Sequence, residues 1–363
     1  MGDGNGVAIV TLTRPGYETA RRLAGALGEK TTVFVPAELN PGAGGEKGDY
    51  FDTAVYSGPL SQFLARIFPR YSSLIMVMAA GIAVRALSPH LVSKKKDPAV
   101  VVVDVAGKYA VSLLSGHLGG ANALARRVAE ILKGQAVITT ASEVQGLPAL
   151  DLVARELNMD VRPADALTKV MAALVNGEPV EVLVERPLLK AVEGLLPGLQ
   201  LRPLEAPLPR GIRDAGIMVT WRRLPLPGPR WVYWRPRVLS AGVGCRRGTR
   251  AGTILYAVGR ALAEAGLSGR SLAALATVDF KGDEPGLKEA AARLGVRLLT
   301  FTPQELAGCL EHRPYLSRSK RVERFTGIAG VCEPAAILGA GEGDLLWPKK
   351  SFRGVTVALA LAK

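Results

Sequence analysis

The fold of this chain is decided by the stretch Lys108-Tyr-Ala-Val-Ser-Leu-Leu-Ser-Gly-His-Leu-Gly-Gly-Ala-Asn122. Lys108 to Leu114 is rich in Val, Leu and Tyr and predicts a buried strand. A glycine turn follows, and Ala121 to Leu132 has apolar residues at helical spacing. A strand, a glycine turn and a helix start leave backbone N–H groups where an anion can bind. Taken alone, the stretch is also typical of a well-capped turn that binds nothing.

The same pattern occurs twice more in the first part of the chain. The apolar strand Ser73 to Ala79 leads into Gly81 and Arg85, and the strand Ala136 to Thr139 leads into Glu143. Parallel sheets bind ligands beyond the carboxyl ends of their strands. We therefore expect the three strand ends to form one site, with substrate-binding residues Gly81, Arg85, Ser115, Gly119, Gly120 and Asn122.

A second α/β pattern begins near Val238. Its first turn, Gly242-Val-Gly-Cys-Arg-Arg-Gly248, is one residue longer than a dinucleotide fingerprint. No acidic residue ends the next strand at the spacing that a nicotinamide cofactor needs, which disfavours an NAD(P)-dependent reductase. An anion-binding turn is the better interpretation. Its predicted substrate-binding residues, together with a lysine from the loop after the next strand, are Gly242, Gly244, Arg246, Arg247 and Lys281.

These patterns predict an α/β protein with three parts. Residues 1–145 form an N-terminal α/β domain and residues 237–363 a C-terminal α/β domain, each with a mostly parallel sheet. Residues 146–236 form a mixed middle module in which the sequence indicates no chemistry. The alternation of short apolar strands with helical segments at both ends of the chain carries this prediction.

Composition limits the classes of partner. The chain has 46 Lys and Arg against 32 Asp and Glu, a formal charge of +14, which suits a polyanion: nucleic acid, acidic lipid or a small molecule with several carboxylates. Basic and aromatic residues interleave only in Trp231-Val-Tyr-Trp-Arg235, so neither nucleic acid nor a membrane is the predicted partner. Without a signal sequence or a spanning apolar run, the cytoplasm is the expected location. Three Cys and three His are too few and too scattered for a structural zinc site.

Taken together, the turns resemble the CbiG family, the cobalt-precorrin-5A hydrolases of anaerobic cobalamin biosynthesis. The resemblance covers most of the chain. The family usually has Thr-Asp where this chain has Ser142-Glu143, which keeps a hydroxyl and a carboxylate but lengthens the acid. The motifs that carry the resemblance are Gly81-Ile-Ala-Val-Arg85, Lys96-Asp-Pro-Ala-Val100, Leu113-Leu-Ser-Gly-His-Leu-Gly-Gly-Ala-Asn122, Ile138-Thr-Thr-Ala141, Gly242-Val-Gly-Cys-Arg-Arg-Gly248 and Thr326-Gly to Val331-Cys-Glu-Pro334.

The resemblance implies a hydrolase acting on a carbon–carbon bond, which opens the δ-lactone of ring A and releases a two-carbon bridge as acetaldehyde. It implies a carboxylate-rich cobalt-tetrapyrrole substrate and hand-over to other enzymes of the pathway. No cofactor or protein metal is expected, because the substrate carries the cobalt. The alternative is a non-catalytic protein that binds and delivers a corrinoid precursor.

Lactone opening needs a base for water, a stabiliser for the oxyanion and an acid for the leaving oxygen. His117 is the predicted acid or base, since an imidazole titrates near neutral pH when unperturbed. The alternative for His117 is a structural role, in which the ring ties the turn to a neighbouring backbone carbonyl. The N–H groups of Gly119 and Gly120 are candidate oxyanion donors. The candidate second carboxylates are Glu143, Asp279 and Glu333.

Overall fold

The computed structural model describes residues 6–39, 51–93, 96–205, 207–208 and 211–363. The chain divides into two compact units, Met1–Leu152 and Val153–Lys363. Each unit is built around its own apolar clusters.

The first unit contains a sheet of seven strands among its described residues. The strands are β1 (Val7–Thr11), β2 (Thr31–Pro36), β3 (Phe51–Tyr56), β4 (Ser73–Val77), β5 (Ala99–Val103), β6 (Tyr109–Leu114) and β7 (Gln135–Val137). The helices are α1 (Arg14–Ala26), α2 (Leu60–Ile67), α3 (Ala80–Leu87), α4 (Ala121–Leu132), α5 (Ala141–Val144) and α6 (Leu150–Glu156), which continues past Leu152.

The strand order is β3-β2-β1-β4-β5-β6-β7, and all neighbours are parallel except β5 and β6. β5 is buried along its whole length, as expected of a central strand covered on both faces. α1 and α4 pack on one face of the sheet, and α2 and α3 pack on the other.

The antiparallel pairing of β5 with β6 follows from the short connection between them. Val103 lies opposite Ala110, and a parallel pair would need a crossover of a dozen or more residues. The carboxylate of Asp104 accepts hydrogen bonds from the N–H groups of Ala106, at 2.9 Å, and Tyr109, at 2.7 Å. Gly107, with φ +72°, completes a tight hairpin turn.

This hairpin overturns one expectation about the site. β6 and β7 run opposite to β1–β5, so they end at the edge of the sheet where β5 begins. The turn after β6 and the loop after β7 therefore share one edge, whereas Gly81 and Arg85 follow β4 at the other. The two edges are separated by the length of a five-residue strand, about 15 Å. The prediction that the three strand ends form one site is wrong.

The second unit contains two five-stranded sheets among its described residues. Its strands are β8 (Met159–Arg162), β9 (Val180–Val184), β10 (Gln200–Pro203), β11 (Ala215–Val219), β12 (Arg230–Pro236), β13 (Leu239–Gly244), β14 (Leu272–Val278), β15 (Arg297–Phe301), β16 (Asp344–Phe352) and β17 (Val355–Leu361). Its helices are α7 (Ala164–Val175), α8 (Leu189–Glu193), α9 (Ala251–Glu264), α10 (Pro285–Leu294), α11 (Pro303–Glu311), α12 (Lys320–Thr326) and α13 (Cys332–Gly339).

The middle sheet has the order β10-β9-β11-β12-β8, parallel except for β8 against β12. The last sheet has the order β15-β14-β13-β17-β16, with β13, β14 and β15 parallel and β17 antiparallel to both of its neighbours. Backbone bonds link the two sheets: Ser268 N–H donates to Trp221 O and Arg223 N–H to Gly266 O, each at 2.7 Å. The predicted α/β class with mostly parallel sheets is confirmed.

The three-part boundaries after residues 145 and 236 stay a prediction, since residues 153–363 form one compact unit. Over the described ranges, the structure has no helix long and apolar enough to cross a membrane.

Candidate active site

The glycine turn after β6 is held by its own hydrogen bonds. Ser115 has φ +57°, a conformation that L-residues rarely adopt, and its hydroxyl donates to the carbonyl of Asp97 at 2.9 Å. A Cβ on Gly119 would lie 2.3 Å from the Cβ of Ser115, so this position requires glycine. The N–H of Gly120 donates to the carbonyl of His117 at 2.9 Å. The turn thus fixes the backbone on both sides of His117.

Asn122 connects this turn to the loop after β7. Its side chain is buried, and its Oδ1 accepts a hydrogen bond from the hydroxyl of Ser112 at 2.7 Å. Its Nδ2 donates to the hydroxyl of Thr140 at 3.2 Å and to a carboxylate oxygen of Glu143 at 3.3 Å. One amide therefore joins β6, α4 and the start of α5.

The carboxylate of Glu143 is held in its ionised form. Arg126, one turn along α4 from Asn122, donates to the other carboxylate oxygen at 2.5 Å. This bond, with the bond from Asn122, holds the pKa of Glu143 below its usual range against the opposing effect of burial. Hydrogen bonds to the ionised form favour that form. Glu143 therefore supplies a fixed negative charge at this edge.

The imidazole of His117 lies between a hydroxyl and a carboxylate. Its Nε2 is 3.1 Å from the hydroxyl of Ser142, a buried residue at the start of α5. Its Nδ1 is 3.9 Å from Oδ1 of Asp151, and the two side chains are 20% and 22% exposed. A partly exposed imidazole beside a carboxylate is an arrangement suited to proton transfer.

The turn after β13 already holds a carboxylate from this chain. Glu284, at the end of the loop after β14, accepts a hydrogen bond from the N–H of Gly248 at 3.0 Å. Lys281 Nζ lies 3.2 Å and Arg247 Nε 3.6 Å from the same side chain. These contacts, the bond from Gly248 above all, hold the pKa of Glu284 below its usual range. The strand ends of β13 and β14 thus meet at one edge, where positive groups of the chain surround a carboxylate of the same chain.

A cavity of about 470 Å³ lies beside this edge. Helices α9 and α10 both begin at the cavity, and Arg250 and Arg293 line it. Helix starts offer N–H groups and a partial positive charge to an anion. Among the residues that the structure describes, no group of three or more His, Cys, Asp or Glu side chains is arranged to hold a metal ion.

Comparison with known proteins identifies the family. Models of the cobalamin synthesis G N-terminal part, the cobalamin biosynthesis central region and the cobalamin synthesis G C-terminus match residues 62–143, 148–236 and 239–360. A cobalt-precorrin-5A hydrolase of Priestia megaterium is 35% identical over 373 residues, which cover 98% of this chain and 94% of the relative. The chain belongs to the CbiG family.

Two further relatives of this CbiG chain differ in coverage. A cobalt-precorrin-5A hydrolase of Salmonella typhimurium is 36% identical over 366 residues, covering 98% of this chain and 97% of the relative. Protein CobE of a Sinorhizobium species is 34% identical over 123 residues, covering 34% of this chain and 79% of the relative. About a third of the CbiG chain therefore has a relative that is a much shorter protein.

At the edge of the first unit's sheet where β6 and β7 end, the structure brings together four of the predicted residues, which are Ser115, His117, Asn122 and Glu143. Gly119 and Gly120 shape the same turn. The expected oxyanion role of Gly120 is not supported, because its N–H is already bonded to the carbonyl of His117. Gly81 and Arg85 lie exposed on α3, at the other edge of the sheet.

Two glycines predicted to bind substrate in the second unit have packing roles instead. Gly242 is buried within β13, where a Cβ would lie 1.8 Å from the carbonyl oxygen of Cys332. A Cβ on Gly244 would lie 2.4 Å from the hydroxyl of Thr356. Their spacing therefore reflects the close approach of α13 and β17 to β13, and it is no dinucleotide fingerprint. Arg246 and Arg247 are exposed at the turn, and their role in substrate binding stays a prediction.

The two other predicted carboxylates have different surroundings. Glu333 is 2% exposed, and its oxygens accept from the N–H and hydroxyl of Ser317 and from the N–H of Lys349, at 2.6, 3.0 and 2.9 Å. A buried carboxylate with this set of donors ties a loop and β16 to α13, so Glu333 is suited to a structural role. Asp279 is exposed, and its carboxylate caps the N–H of Phe280 at 2.6 Å.

Three residues of these edges were not predicted from the sequence. Asp151 lies in the first turn of α6, where an acidic residue is commonly explained by the helix dipole alone. Arg126 is a surface residue of an amphipathic helix, and Glu284 precedes the proline that starts α10. The position of Glu284 after a strand end was a signal in the sequence, whereas no sequence signal distinguishes Asp151 from other acidic residues at helix starts.

Proposed function

We propose that this CbiG chain hydrolyses cobalt-precorrin-5A, opening the δ-lactone of ring A and releasing acetaldehyde, with His117 as the acid–base group. The names of two relatives that match nearly the whole chain support the reaction. The placement of the His117 imidazole between Ser142 and Asp151, on an exposed edge, supports the residue. This placement is the observation that carries the proposal.

The reaction requires one group that both accepts and donates a proton. Water adds to the lactone carbonyl and loses a proton to the base, the ester C–O bond breaks, and the leaving oxygen takes a proton. The alcohol then loses its proton as its carbon becomes the aldehyde. The carbon–carbon bond breaks, and its electron pair stays on the macrocycle carbon, which is protonated. One water is consumed and one acetaldehyde is released, so the atoms balance.

The other residues at the edge where β6 and β7 end position His117 and set the charge around it. The turn around Gly119 and Gly120 positions the backbone of His117. The ionised Glu143, fixed by Asn122 and Arg126, places a negative charge near the imidazole. Such a charge stabilises the intermediate state in which His117 holds the proton taken from water.

Carboxylates of the substrate would bind through positive groups. A cobalt-tetrapyrrole with acetate and propionate side chains is a polyanion, and the formal charge of this chain is +14. Arg246, Arg247 and the cavity lined by Arg250 and Arg293 are the candidates in the second unit, because guanidinium groups bind carboxylates with two parallel hydrogen bonds. The cobalt ion arrives as part of the substrate.

The test is acetaldehyde release from cobalt-precorrin-5A by the full chain and by His117→Gln. Glutamine keeps the approximate size and one hydrogen-bonding function but does not carry the proton. Because general acid–base catalysis contributes about 100- to 10,000-fold, turnover should fall by that factor with an unchanged melting temperature. His312→Gln, an exposed histidine on the described surface, is the matched control. Parental turnover in His117→Gln would remove His117 from the mechanism.

A second candidate function is binding and delivery of a corrinoid precursor without catalysis. Protein CobE matches only about a third of this chain, so a part of the chain occurs in another protein without the rest. A wild-type chain that binds cobalt-precorrin-5A, measured by a change in its absorbance spectrum, but releases no acetaldehyde would favour delivery over hydrolysis.

A further inference from the structure

We propose that Asp151 is a second catalytic residue of the same site, and that it and His117 together hold the water that attacks the lactone. This inference rests on the proposed hydrolysis. Nδ1 of His117 and Oδ1 of Asp151 are 3.9 Å apart, too far for a direct hydrogen bond. One water oxygen at about 2.8 Å from each atom fits between them and donates one proton to each.

The contacts of the two side chains leave Nδ1 of His117 and Oδ1 of Asp151 beside each other. Ser142 occupies Nε2 of the imidazole, so Nδ1 is the ring nitrogen beside the carboxylate. Oδ1 of Asp151 accepts the N–H of Leu152 at 3.0 Å, which fixes the orientation of the carboxylate. Both side chains are about one-fifth exposed, so the pair remains partly accessible to solvent.

The arrangement fixes the path of the proton. Nδ1 must be unprotonated to accept from water, so the neutral ring carries its proton on Nε2 and donates it to the hydroxyl of Ser142. When the water oxygen bonds to the lactone carbon, its proton moves to Nδ1, and the carboxylate of Asp151 stabilises the imidazolium. The same proton then passes to the oxygen released when the ester bond breaks.

The first experiment compares Asp151→Asn with Glu156→Gln. Both variants neutralise one carboxylate of α6, and Glu156 is exposed at the far end of that helix. Loss of a carboxylate that supports a catalytic imidazole costs up to about 10,000-fold in kcat, so Asp151→Asn should lower kcat by at least about 100-fold while KM changes less than about threefold. Glu156→Gln should match wild type.

The double variant tests whether the two residues act on one water. If they do, the double variant Asp151→Asn, His117→Gln should have a kcat within about threefold of that of the slower single variant. The effects of residues that act as a unit are not additive. The proposal would be overturned if the reduction in kcat of the double variant equals the product of the two single reductions. A kcat for Asp151→Asn within about threefold of wild type would also overturn it.

A second measurement does not depend on turnover. The ring nitrogens of His117 are observed by ¹⁵N NMR in the substrate-free full chain, above the pH at which the ring becomes neutral. We expect the proton on Nε2, and a proton on Nδ1 would overturn the proposal. If the wild type releases no acetaldehyde while the proton lies on Nε2, the proposed function and the catalytic role of Asp151 are both refuted. The geometry of the imidazole would then be a structural feature only. Release unaffected by Asp151→Asn would refute this inference alone.

Discussion

Replacing Asn122 by alanine should destabilise the first unit by more than the loss of any single hydrogen bond would. The amide of Asn122 is 2% exposed and bonds to the hydroxyls of Ser112 and Thr140 and to the carboxylate of Glu143. Alanine removes all three bonds and leaves their part-buried partners without them. The perturbation therefore acts on β6, α4 and α5 at once.

The magnitude follows from the three contacts. A neutral hydrogen bond contributes about 1 kcal/mol and a bond to a charged group about 1.5 to 3 kcal/mol. Asn122→Ala should therefore lower the free energy of unfolding by about 3 to 5 kcal/mol. Ser112→Ala, which removes one of the three bonds, should lower it by about 1 kcal/mol.

Urea denaturation followed by far-ultraviolet circular dichroism measures both variants. The four tryptophans are at position 221 or later, so tryptophan fluorescence reports the second unit and indicates whether the loss is confined to the first. The slope of the unfolding free energy against urea should stay unchanged. If Asn122→Ala is no less stable than Ser112→Ala, the amide does not join the three elements and the reasoning is refuted.

Three further outcomes are expected. Gly119→Ala should destabilise the fold and slow turnover together, because its methyl group would overlap Ser115; a melting temperature and a kcat like those of wild type would contradict this. Arg246→Ala combined with Arg247→Ala should raise KM with little change in kcat, an effect that shrinks as added salt screens the wild type; an unchanged KM at low salt would place both outside the site. Glu284 has a pKa lowered by folding, so its stabilisation is complete above its ordinary value of 4.5 and lost as pH falls through the lower, folded value. Wild type should accordingly lose more stability below about pH 4.5 than Glu284→Gln, and equal acid sensitivity in urea melts would show that the carboxylate contributes nothing.

The sequence by itself determined the fold class and the main elements of the site. Apolar periodicity located β6 and α4, and the glycines and polar residues between them indicated the turn that holds His117. These features are local, since hydrogen bonds within the turn and the helix that follows depend on residues close in sequence. The resemblance to CbiG proteins came from the same stretches, and the family comparisons confirm it.

Only the tertiary structure decided which strand ends meet. The direction of β6 depends on the hairpin at Asp104. Because β6 runs antiparallel to β5, His117 lies at the edge of the sheet opposite to the one that holds Arg85. Gly242 belonged to a glycine pattern in the sequence, but the backbone of α13 against β13 is what excludes a side chain there. Asp151 reaches His117 from 34 positions along the chain, a contact created by packing. Patterns in a sequence report each residue's preference, whereas the pairing of strands and the approach of distant side chains depend on how the elements pack together.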